Sequence, residues 1–238
     1  MRWKVLAEQT IAIVLAAGQG KRMGYSLNKQ YLHLLDKPVL AHTLQAFEQE
    51  PLIDGVIVVA KSSEIEYCQE KIVKAFDLRK VIKVTSGGKE RQDSVYAGIQ
   101  HLPDECNLVV VHDGARPLIA PDLLSQVIEK GRQAKAVITA VPVKDTIKKV
   151  RENGIVECTL SRSELWAVQT PQVFQKEIIL AAYREAMAEG FYGTDDASLV
   201  ERIGVEVQVV HGSYENIKIT TPEDLEVAEI ILKRRKLI

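Results

Sequence analysis

The sequence predicts an α/β protein built on a mainly parallel, twisted β-sheet. Short apolar runs rich in β-branched residues recur along the chain, and amphipathic helical stretches separate them. Runs of this length without strict alternation are typical of strands that are buried on both faces. Strands that alternate with helices form a parallel sheet with helices on both sides.

The predicted elements follow one another in strand–helix order. The predicted strands are 11–16, 55–60, 80–85, 107–112, 136–141 and 205–210. The predicted helices are 38–50, 63–76, 91–102, 120–133 and 221–236. Pro38 suits the first turn of its helix, and Ser63 suits an N-cap. The last helix carries acids in its first turn and cations in its last, an order that favours the helix dipole.

Residues 142–172 depart from this order and predict a β-arm that protrudes from the main body. The stretch alternates loosely, and Glu152, Asn153 and Gly154 are typical of a hairpin turn. Because an isolated hairpin is marginally stable in water, we expect the arm to pack against a partner subunit in a homodimer. The sequence contains no repeat or linker, so we predict a single domain over 1–238.

The composition predicts a globular protein without nucleic-acid or membrane partners. The 238 residues are 46% hydrophobic, and 31 Lys and Arg balance 32 Asp and Glu. This balance argues against a nucleic-acid-coating protein, so any anion site must be local. No apolar run approaches the ~20 residues of a membrane span. The cysteines, Cys68, Cys106 and Cys158, lack CxxC spacing and predict reduced thiols. We expect a cytoplasmic protein.

Three polar stretches that contain glycine follow predicted strands, at 17–24, 86–94 and 113–118. Ligands of open parallel sheets bind outside the carboxyl ends of the strands. We therefore expect the three stretches to converge on one crevice, which would be the ligand site of the protein.

The first of these stretches allows three interpretations. A P-loop needs Ser or Thr after Gly20 and Lys21, but Arg22 stands there. A dinucleotide fingerprint fits the glycine spacing and places Asp36 18 residues after Gly18. However, no clear helix and second strand would carry that carboxylate to a ribose.

The third interpretation is a nucleotidyltransferase loop. Its glycines would let backbone N–H groups approach a triphosphate closely. Arg22 and Lys29 would meet the charge that develops on the leaving pyrophosphate. Taken by themselves, these two cations could equally be solvated surface residues.

Six motifs in a fixed order make the sequence resemble one family. They are LAAGQGKRM with NKQYL (15–32), GGKERQDSV (87–95), VHDGARP (111–117), RSELWAVQTPQVF (162–174), TDDAS (194–198) and NIKITTPEDL (216–225). Over about residues 11–235, the chain resembles the 2-C-methyl-D-erythritol 4-phosphate cytidylyltransferases of the non-mevalonate isoprenoid pathway. The resemblance implies a three-layer, Rossmann-like nucleotidyltransferase fold with a protruding β-arm.

The resemblance implies transfer of CMP from CTP to 2-C-methyl-D-erythritol 4-phosphate with Mg²⁺, which gives 4-diphosphocytidyl-2-C-methyl-D-erythritol and pyrophosphate. A phosphate oxygen of the acceptor attacks the α-phosphorus of CTP. Since this nucleophile is already an anion, catalysis needs positioning and electrostatic stabilisation rather than a strong base. A ribitol-5-phosphate cytidylyltransferase, built on the same plan, is the nearest alternative. A nucleotide-binding regulatory protein and an NAD(P) oxidoreductase are further alternatives.

The resemblance also implies the site residues. Arg22, Lys29 and Lys218 would be catalytic, with Lys218 bridging the α-phosphate and the incoming phosphate. Asp113 would bind Mg²⁺, although the residues alone allow a turn-starting Asp there. The nucleotide-binding set would be Ala16, Ala17, Gly18, Gly20, Gly88, Ser94 and Asp113. The acceptor-binding set would be Thr146, Arg162, Thr170, Thr194 and Lys218. The arginine of this set, on the arm, would reach the active site of the partner subunit.

Two residues depart from the family pattern. Asn28 stands where the family often has Pro, and we expect it to loosen the loop without displacing the following lysine. Lys89 stands where some members have an acid, which would alter nucleotide affinity unless that contact is made through the backbone. On the residues alone, Ser94 could simply cap the next helix, Ala16 could simply end a strand, and Lys218 could be an exposed strand-end lysine.

Overall fold

A computed structural model of the chain describes residues 9–18 and 28–236, with the backbone alone at Lys29 and Lys236. The strands in these ranges are β1 Gln9–Ala16, β2 His33–Leu34, β3 Lys37–Pro38, β4 Gly55–Ala60, β5 Val81–Ser86, β6 Cys106–Asp113, β7 Ala136–Pro142, β8 Lys148–Val150, β9 Val156–Thr159, β10 Trp166–Gln175 and β11 Gln208–His211. The helices are α1 Val39–Gln49, α2 Ile65–Tyr67, α3 Arg91–Ile99, α4 Pro121–Gln133, α5 Lys176–Glu189, α6 Asp196–Arg202 and α7 Pro222–Lys236.

Seven strands form one central sheet in the order β11-β7-β10-β6-β1-β4-β5. The central strand β1 pairs in parallel with β4 and β6, so that Ile13 lies opposite both Ile57 and Val111. The pairs β4–β5 and β7–β11 are also parallel, whereas β10 runs antiparallel to β6 and β7. The predicted strands and the mainly parallel sheet are confirmed.

Helices cover both faces of the sheet and make three layers. On one face, α1 and α4 bury Leu44 and Leu124 against Val14 of β1. On the other face, α3, α5 and α6 pack over Ile13. Alternate residues of β1 therefore point into two separate cores, as a strand buried on both faces requires. The edge strand β5 differs from the prediction, because Ile82 is 51% exposed.

The sequence pattern misses the long elements β10, α5 and α6, and also the two-residue strands β2 and β3. Strand β10 contains Gln169, Thr170 and Gln172, which are buried polar residues. The Gln172 amide donates to the carboxylate of Asp195, the residue before α6, at 2.7 Å. Because buried polar side chains with hydrogen-bond partners are tolerated in a strand, this strand lacks the apolar run by which the other strands were predicted. The predicted arm over 142–172 therefore overlaps the central sheet from Trp166 onward.

The arm consists of residues 143–165 and contains the antiparallel hairpin of β8 and β9. Its turn has Gly154 at a φ of 81°, a left-handed conformation that glycine adopts without steric cost. The Gly154 N–H donates to the Arg151 carbonyl at 2.9 Å. The predicted hairpin turn is confirmed.

The predicted helix over 63–76 is helical but irregular. It begins with a 3₁₀ turn, Ser62–Glu64, continues through α2, and ends as a π-helical segment, Cys68–Lys74. Lys61 occupies the N-cap position without a side-chain hydrogen bond. The predicted Ser63 cap is therefore wrong, because that residue lies inside the first turn.

The three cysteines are free, as predicted. Burial raises the pKa of the Cys68 thiol to about 12 and that of the Cys106 thiol to about 11, so both stay protonated. Cys158, on the arm, is exposed. Across residues 9–18 and 28–236, no helix combines the length and apolar character that crossing a membrane requires.

Helix α4 lies close to β10 because Gly131 has no side chain. A Cβ on Gly131 would overlap the side chain of Val173, a stiff β-branched residue. We expect Gly131→Val to lower the free energy of unfolding by about 1–3 kcal/mol, the usual cost of overpacking a core. Urea denaturation followed by circular dichroism measures the change. Glu129→Val, on the exposed side of the same helix, is the matched control, and an equal loss in both variants would contradict this packing argument.

Candidate active site

A pocket of about 550 Å³ lies at the carboxyl ends of β1, β4, β5 and β6. Each of the three glycine-containing stretches lines it, through residues 16–18, residues 87–91, and Asp113 with Ala115. The predicted convergence is confirmed for the described part of these stretches. Lys61, just after β4, also lines the pocket, although no motif pointed to it.

Close packing explains the glycines of the second stretch. A Cβ on Gly88 would overlap the Cβ of Asp93, and one on Gly87 would lie 2.6 Å from Ser94 Oγ. The Gly88 N–H donates to Ser94 Oγ at 3.2 Å, and this hydroxyl donates to the Glu90 carbonyl at 3.1 Å. Ser94 lies within α3, so its hydroxyl fastens the pocket loop to the helix instead of capping the helix.

Asp113 ends β6 at the pocket and is surrounded by three cations. Its carboxylate lies 2.8 Å from Lys218 Nζ, 3.5 Å from Arg91 Nε and 3.6 Å from Arg116 Nε. Burial by itself would raise the pKa of this carboxyl, but the three cations outweigh burial and hold the pKa well below its usual range. The carboxylate therefore stays ionised and draws the cations together.

Arg91 links this cluster to a second buried carboxylate. Arg91 Nη1 lies 2.8 Å from Asp196 Oδ2, and the Tyr183 hydroxyl donates to Asp196 Oδ1 at 2.5 Å. Burial opposes the charged form of the guanidinium, but Asp196 and Asp113 more than offset burial and raise the pKa of Arg91. Arg91 is thus held as a cation between two acids.

His112 precedes Asp113 in β6 and is fully buried. Burial lowers the pKa of the imidazole to about 4, so His112 is neutral at neutral pH. Its ring nitrogens lie 3.2 Å from Thr170 Oγ1 and 3.1 Å from the Arg116 carbonyl oxygen. The imidazole therefore joins β10 to the loop that follows β6.

A second pocket of about 440 Å³ adjoins the first. The two pockets share Arg91, Asp113 and Lys218, and the second is also lined by Thr170 and Thr194. Two cations and one carboxylate therefore stand where the pockets meet. Two anionic molecules, one in each pocket, would approach each other at these cations.

Most predicted site residues fall into these pockets. The first pocket contains Ala16, Ala17, Gly18, Gly88, Ser94, Asp113 and Lys218. The second pocket contains Asp113, Thr170, Thr194 and Lys218. Thr146 and Arg162 line neither of them and lie on the arm, where Arg162 Nη1 donates to a backbone carbonyl at 2.9 Å. Gly20, Arg22 and the side chain of Lys29 lie outside the described residues, and their roles stay predictions.

The glycine loop is described again from Asn28 onward. Asn28 Nδ2 donates to Glu64, and Lys61 Nζ donates to Asn28 Oδ1 at 2.9 Å. Lys61 also lies 3.9 Å from Glu64. The side chain of Asn28 is therefore bound to Lys61 and Glu64, and the expectation that Asn28 loosens the loop stays a prediction, because residues 19–27 lie outside the described ranges.

Besides Lys61, sequence reasoning missed two arginines of the site, Arg91 and Arg116. Both lie in motifs that were recognised, GGKERQDSV and VHDGARP, yet neither motif alone shows which cation faces a carboxylate. Arg116 follows the buried strand β6 by three residues, and Arg91 begins α3 after the loop that follows β5. A cation between the end of a strand and the first turn of the next helix is the signal that could have singled them out. Their acidic partner Asp196 belongs to another motif, TDDAS, which the fold brings alongside.

Comparisons with known proteins agree on one family. The family model described as 2-C-methyl-D-erythritol 4-phosphate cytidylyltransferase (IspD) matches residues 10–234. A relative of that name from Desulforamulus reducens is 51% identical over 225 residues, which cover 94% of this chain and 96% of the relative. Another, from Alkaliphilus metalliredigens, is 52% identical over 231 residues, covering 97% and 96%.

The chain belongs to the 2-C-methyl-D-erythritol 4-phosphate cytidylyltransferase family. The crystal structure of 4-diphosphocytidyl-2C-methyl-D-erythritol synthase from Anaerococcus prevotii matches with a TM-score of 0.84 and 35% identity, covering 95% of this chain and 99% of that chain. A 2-C-methyl-D-erythritol 4-phosphate cytidylyltransferase from Francisella tularensis matches with a TM-score of 0.78 and 32% identity, covering 94% and 99%. The predicted family and its nucleotidyltransferase fold are confirmed.

The charge of Asp113 stabilises this member of the cytidylyltransferase family. Because the folded-state pKa of the carboxyl is lowered, its contribution is present above the ordinary Asp pKa of about 4 and is lost as the pH falls further. We expect Asp113→Asn to lower the free energy of unfolding at pH 7 by about 3 kcal/mol, since three partly buried cations lose their buried partner. The difference from wild type should shrink below about pH 4.

Urea denaturation at a series of pH values from 7 down to 3 measures this difference. Asp145→Asn, at an exposed position on the arm, is the matched control and should leave stability almost unchanged. An Asp113→Asn variant as stable as wild type at pH 7, or a difference that stays constant with pH, would contradict the account of the charge cluster.

Proposed function

We propose that the chain transfers CMP from CTP to 2-C-methyl-D-erythritol 4-phosphate, giving 4-diphosphocytidyl-2-C-methyl-D-erythritol and pyrophosphate. The main support for the proposal is that two pockets meet at Arg91, Asp113 and Lys218, which line both of them. The family model and the relatives carry the name of this acceptor, which supports it over ribitol 5-phosphate. A site that joins two anions needs such shared cations between them.

CTP would occupy the first pocket. Ala16, Ala17 and Gly88 line this pocket, and small side chains let a planar base lie against the backbone. The triphosphate would extend toward the glycine loop. There, Arg22 and Lys29 would stabilise the charge that develops on the leaving pyrophosphate.

The phosphate of the acceptor would enter the second pocket, beside Thr170 and Thr194. One of its oxygens attacks the α-phosphorus of CTP, and the bond from that phosphorus to the pyrophosphate oxygen breaks. Lys218 lines both pockets, and its side chain is 37% exposed. Its ammonium is therefore placed to offset the repulsion between the two phosphates as they approach.

We propose that Mg²⁺ binds together with CTP and not at a preformed protein site. Among residues 9–18 and 28–236, no group of three or more His, Cys, Asp or Glu side chains could hold a metal ion. Asp113 fits Mg²⁺, because this ion is usually held by one or two carboxylates with phosphate oxygens and water. Lys218 and Arg116 contact Asp113 Oδ2, whereas Asp113 Oδ1 has the longer contact with Arg91 Nε, at 3.5 Å, so we expect Mg²⁺ to bind through Oδ1. When bound, Mg²⁺ neutralises charge on the triphosphate.

A homodimer formed through the arm is the proposed assembly. The hairpin exposes apolar side chains, with Val150 52%, Ile155 56% and Val156 53% accessible. Exposed apolar groups on a two-stranded hairpin favour a covering partner. In such a dimer, Arg162 and Thr146 of one arm would complete the acceptor pocket of the other subunit.

The proposed location is the cytoplasm. The three cysteines are free thiols, and free thiols persist in reducing compartments. The substrates of the proposed reaction, CTP and a sugar-alcohol phosphate, are polar metabolites that would meet the enzyme there.

The proposed reaction is tested by pyrophosphate release from CTP and Mg²⁺. With 2-C-methyl-D-erythritol 4-phosphate, we expect sustained turnover, and with the same concentration of ribitol 5-phosphate little release. A reaction without acceptor measures background hydrolysis of CTP, and a reaction with EDTA should be inactive. No release with the first acceptor, or faster release with the second, would overturn the proposal.

Complementation between two impaired variants tests the shared active site. Lys29→Ala should lower kcat by about 10²-fold or more, as expected when a charge-stabilising group is lost. Arg162→Ala should raise KM for the acceptor more than KM for CTP, because Arg pairs with phosphate. If Arg162 acts across the dimer, a mixed dimer contains one site with both residues intact. Mixing the two variants should therefore restore activity above that of either parent.

The control for complementation is Lys130→Ala, on α4, which should keep wild-type kinetics. A failure of the mixed sample to recover activity, after subunit exchange is verified with differently tagged chains, would refute a site shared through Arg162. An unchanged kcat for Lys29→Ala would remove that lysine from the mechanism.

A further inference from the structure

We propose that His112 and Asn216 are positioning residues for this reaction, because they close a ring of hydrogen bonds that sets Lys218 against Asp113. The inference rests on the proposed function for the reaction that it affects. The ring passes through three segments that lie far apart in the chain. His112 and Asn216 are buried, whereas Thr170 and Arg116 line the second pocket.

The first half of the ring runs through the imidazole. The Arg116 carbonyl can only accept, so His112 Nε2 carries the ring proton of the neutral imidazole and donates to this carbonyl at 3.1 Å. His112 Nδ1 then accepts from the Thr170 hydroxyl, 3.2 Å away, and Thr170 Oγ1 accepts the Asp113 N–H at 3.0 Å. One neutral tautomer of His112 therefore satisfies every group in this half.

The second half returns through Asn216. Arg116 Nη1 donates to the Asn216 carbonyl at 2.7 Å, and Asn216 Nδ2 donates to the Thr170 carbonyl at 2.9 Å. Since Thr170 also belongs to the first half, the ring is closed. His112 and Asn216 are both 0% exposed, so water does not compete for these bonds.

The ring controls both ends of one ion pair. Asp113 follows His112 directly, and Lys218 follows Asn216 by two residues in a stretch without helix or strand. On the far side of this lysine, the Ile219 N–H donates to the Ala115 carbonyl at 2.8 Å. The backbone of Lys218 is therefore held on both sides, and its Nζ lies 2.8 Å from Asp113 Oδ2.

The ion pair by itself would not hold the lysine in place. The side chain of Lys218 is 37% exposed, and pairs that are open to water contribute little to stability because ordering a long side chain costs entropy. Because the backbone on both sides of Lys218 is held in place, its ammonium group can reach fewer positions. The proposed role of the ring is therefore to aim Lys218 at the junction of the pockets, where both phosphates would meet.

The test uses His112→Phe, which removes both ring nitrogens. Phenylalanine keeps an aromatic ring against Phe47, whose centroid lies 5.1 Å from that of His112. His112→Asn is the rescue variant, because its side-chain amide can replace Nδ1 as the partner of Thr170. Asn216→Ala opens the ring at its other side and gives a second route if His112→Phe fails to fold.

Opening the ring should lower kcat about 10-fold or more, as expected for a misplaced catalytic group, while KM for CTP changes less than about twofold. His112→Asn should recover part of the loss. Ser125→Ala is the matched control: it removes a side-chain hydrogen bond to Glu50, 2.6 Å long, from a residue that lines neither pocket. This variant should lose stability without losing kcat.

A double-mutant cycle with Lys218→Gln separates positioning from a general structural role. If the ring acts through Lys218, then His112→Phe should have little further effect on kcat in the Lys218→Gln background. The same factor in both backgrounds would overturn the proposal. Wild-type turnover is measured first, so that a failure of the proposed reaction is recognised separately.

Crystal structures of wild type and His112→Phe provide a readout that does not depend on activity. The proposal expects the Lys218–Asp113 separation to increase beyond about 4 Å, the limit of an ion pair, when the ring is opened. A pair that stays at its wild-type distance in the variant would overturn the proposal even if the reaction is as proposed.

Discussion

The carboxylate of Asp113 and the three cations around it are the interaction on which the rest of the site depends. An ionised acid at the end of a central strand needs partners, because its burial would otherwise be unfavourable. Lys218, Arg91 and Arg116 supply them from three different segments. The same arrangement concentrates positive charge between two pockets, so a requirement of folding also creates a surface suited to two phosphates.

The sheet explains why these segments meet. Parallel strands deliver their following loops to one edge, and β6 lies beside β1 and β10 at the centre of the sheet. The antiparallel strand β10 brings Thr170 alongside the end of β6, where its hydroxyl receives the Asp113 N–H. Small residues let the surrounding loops approach closely, as the tight packing around Gly87 and Gly88 shows. The pockets are therefore a consequence of strand order combined with close-packed loops.

Local patterns in the sequence predicted much of this arrangement. The β-branched runs predicted six strands, and four of them, β1, β4, β6 and β7, are buried on both faces, which leaves a continuous apolar signal. The other two, β5 and β11, are edge strands that are partly exposed. The glycine-containing loops predicted the first pocket, and six motifs predicted the family. The hairpin turn at Gly154 was predictable because its conformation favours one residue type.

The remaining features depend on contacts between distant residues, which local patterns do not record. Strand β10 was missed because Gln169 and Gln172 are buried but hydrogen-bonded elsewhere in the fold. The Ser63 cap was wrong because the N-cap is Lys61, two residues earlier, and the helix begins directly after it as a 3₁₀ turn. The link from Arg116 to Asn216 joins two separate motifs, and only the folded chain shows that they touch.

The most direct test of this account is the crystal structure of the chain with Mg²⁺, a CTP analogue that cannot release pyrophosphate, and 2-C-methyl-D-erythritol 4-phosphate. The account predicts cytosine in the pocket beside Gly88 and Ser94, the acceptor phosphate in the pocket beside Thr194, and Lys218 in contact with both phosphates. An acceptor phosphate bound away from Lys218, or a nucleotide bound outside the first pocket, would contradict it.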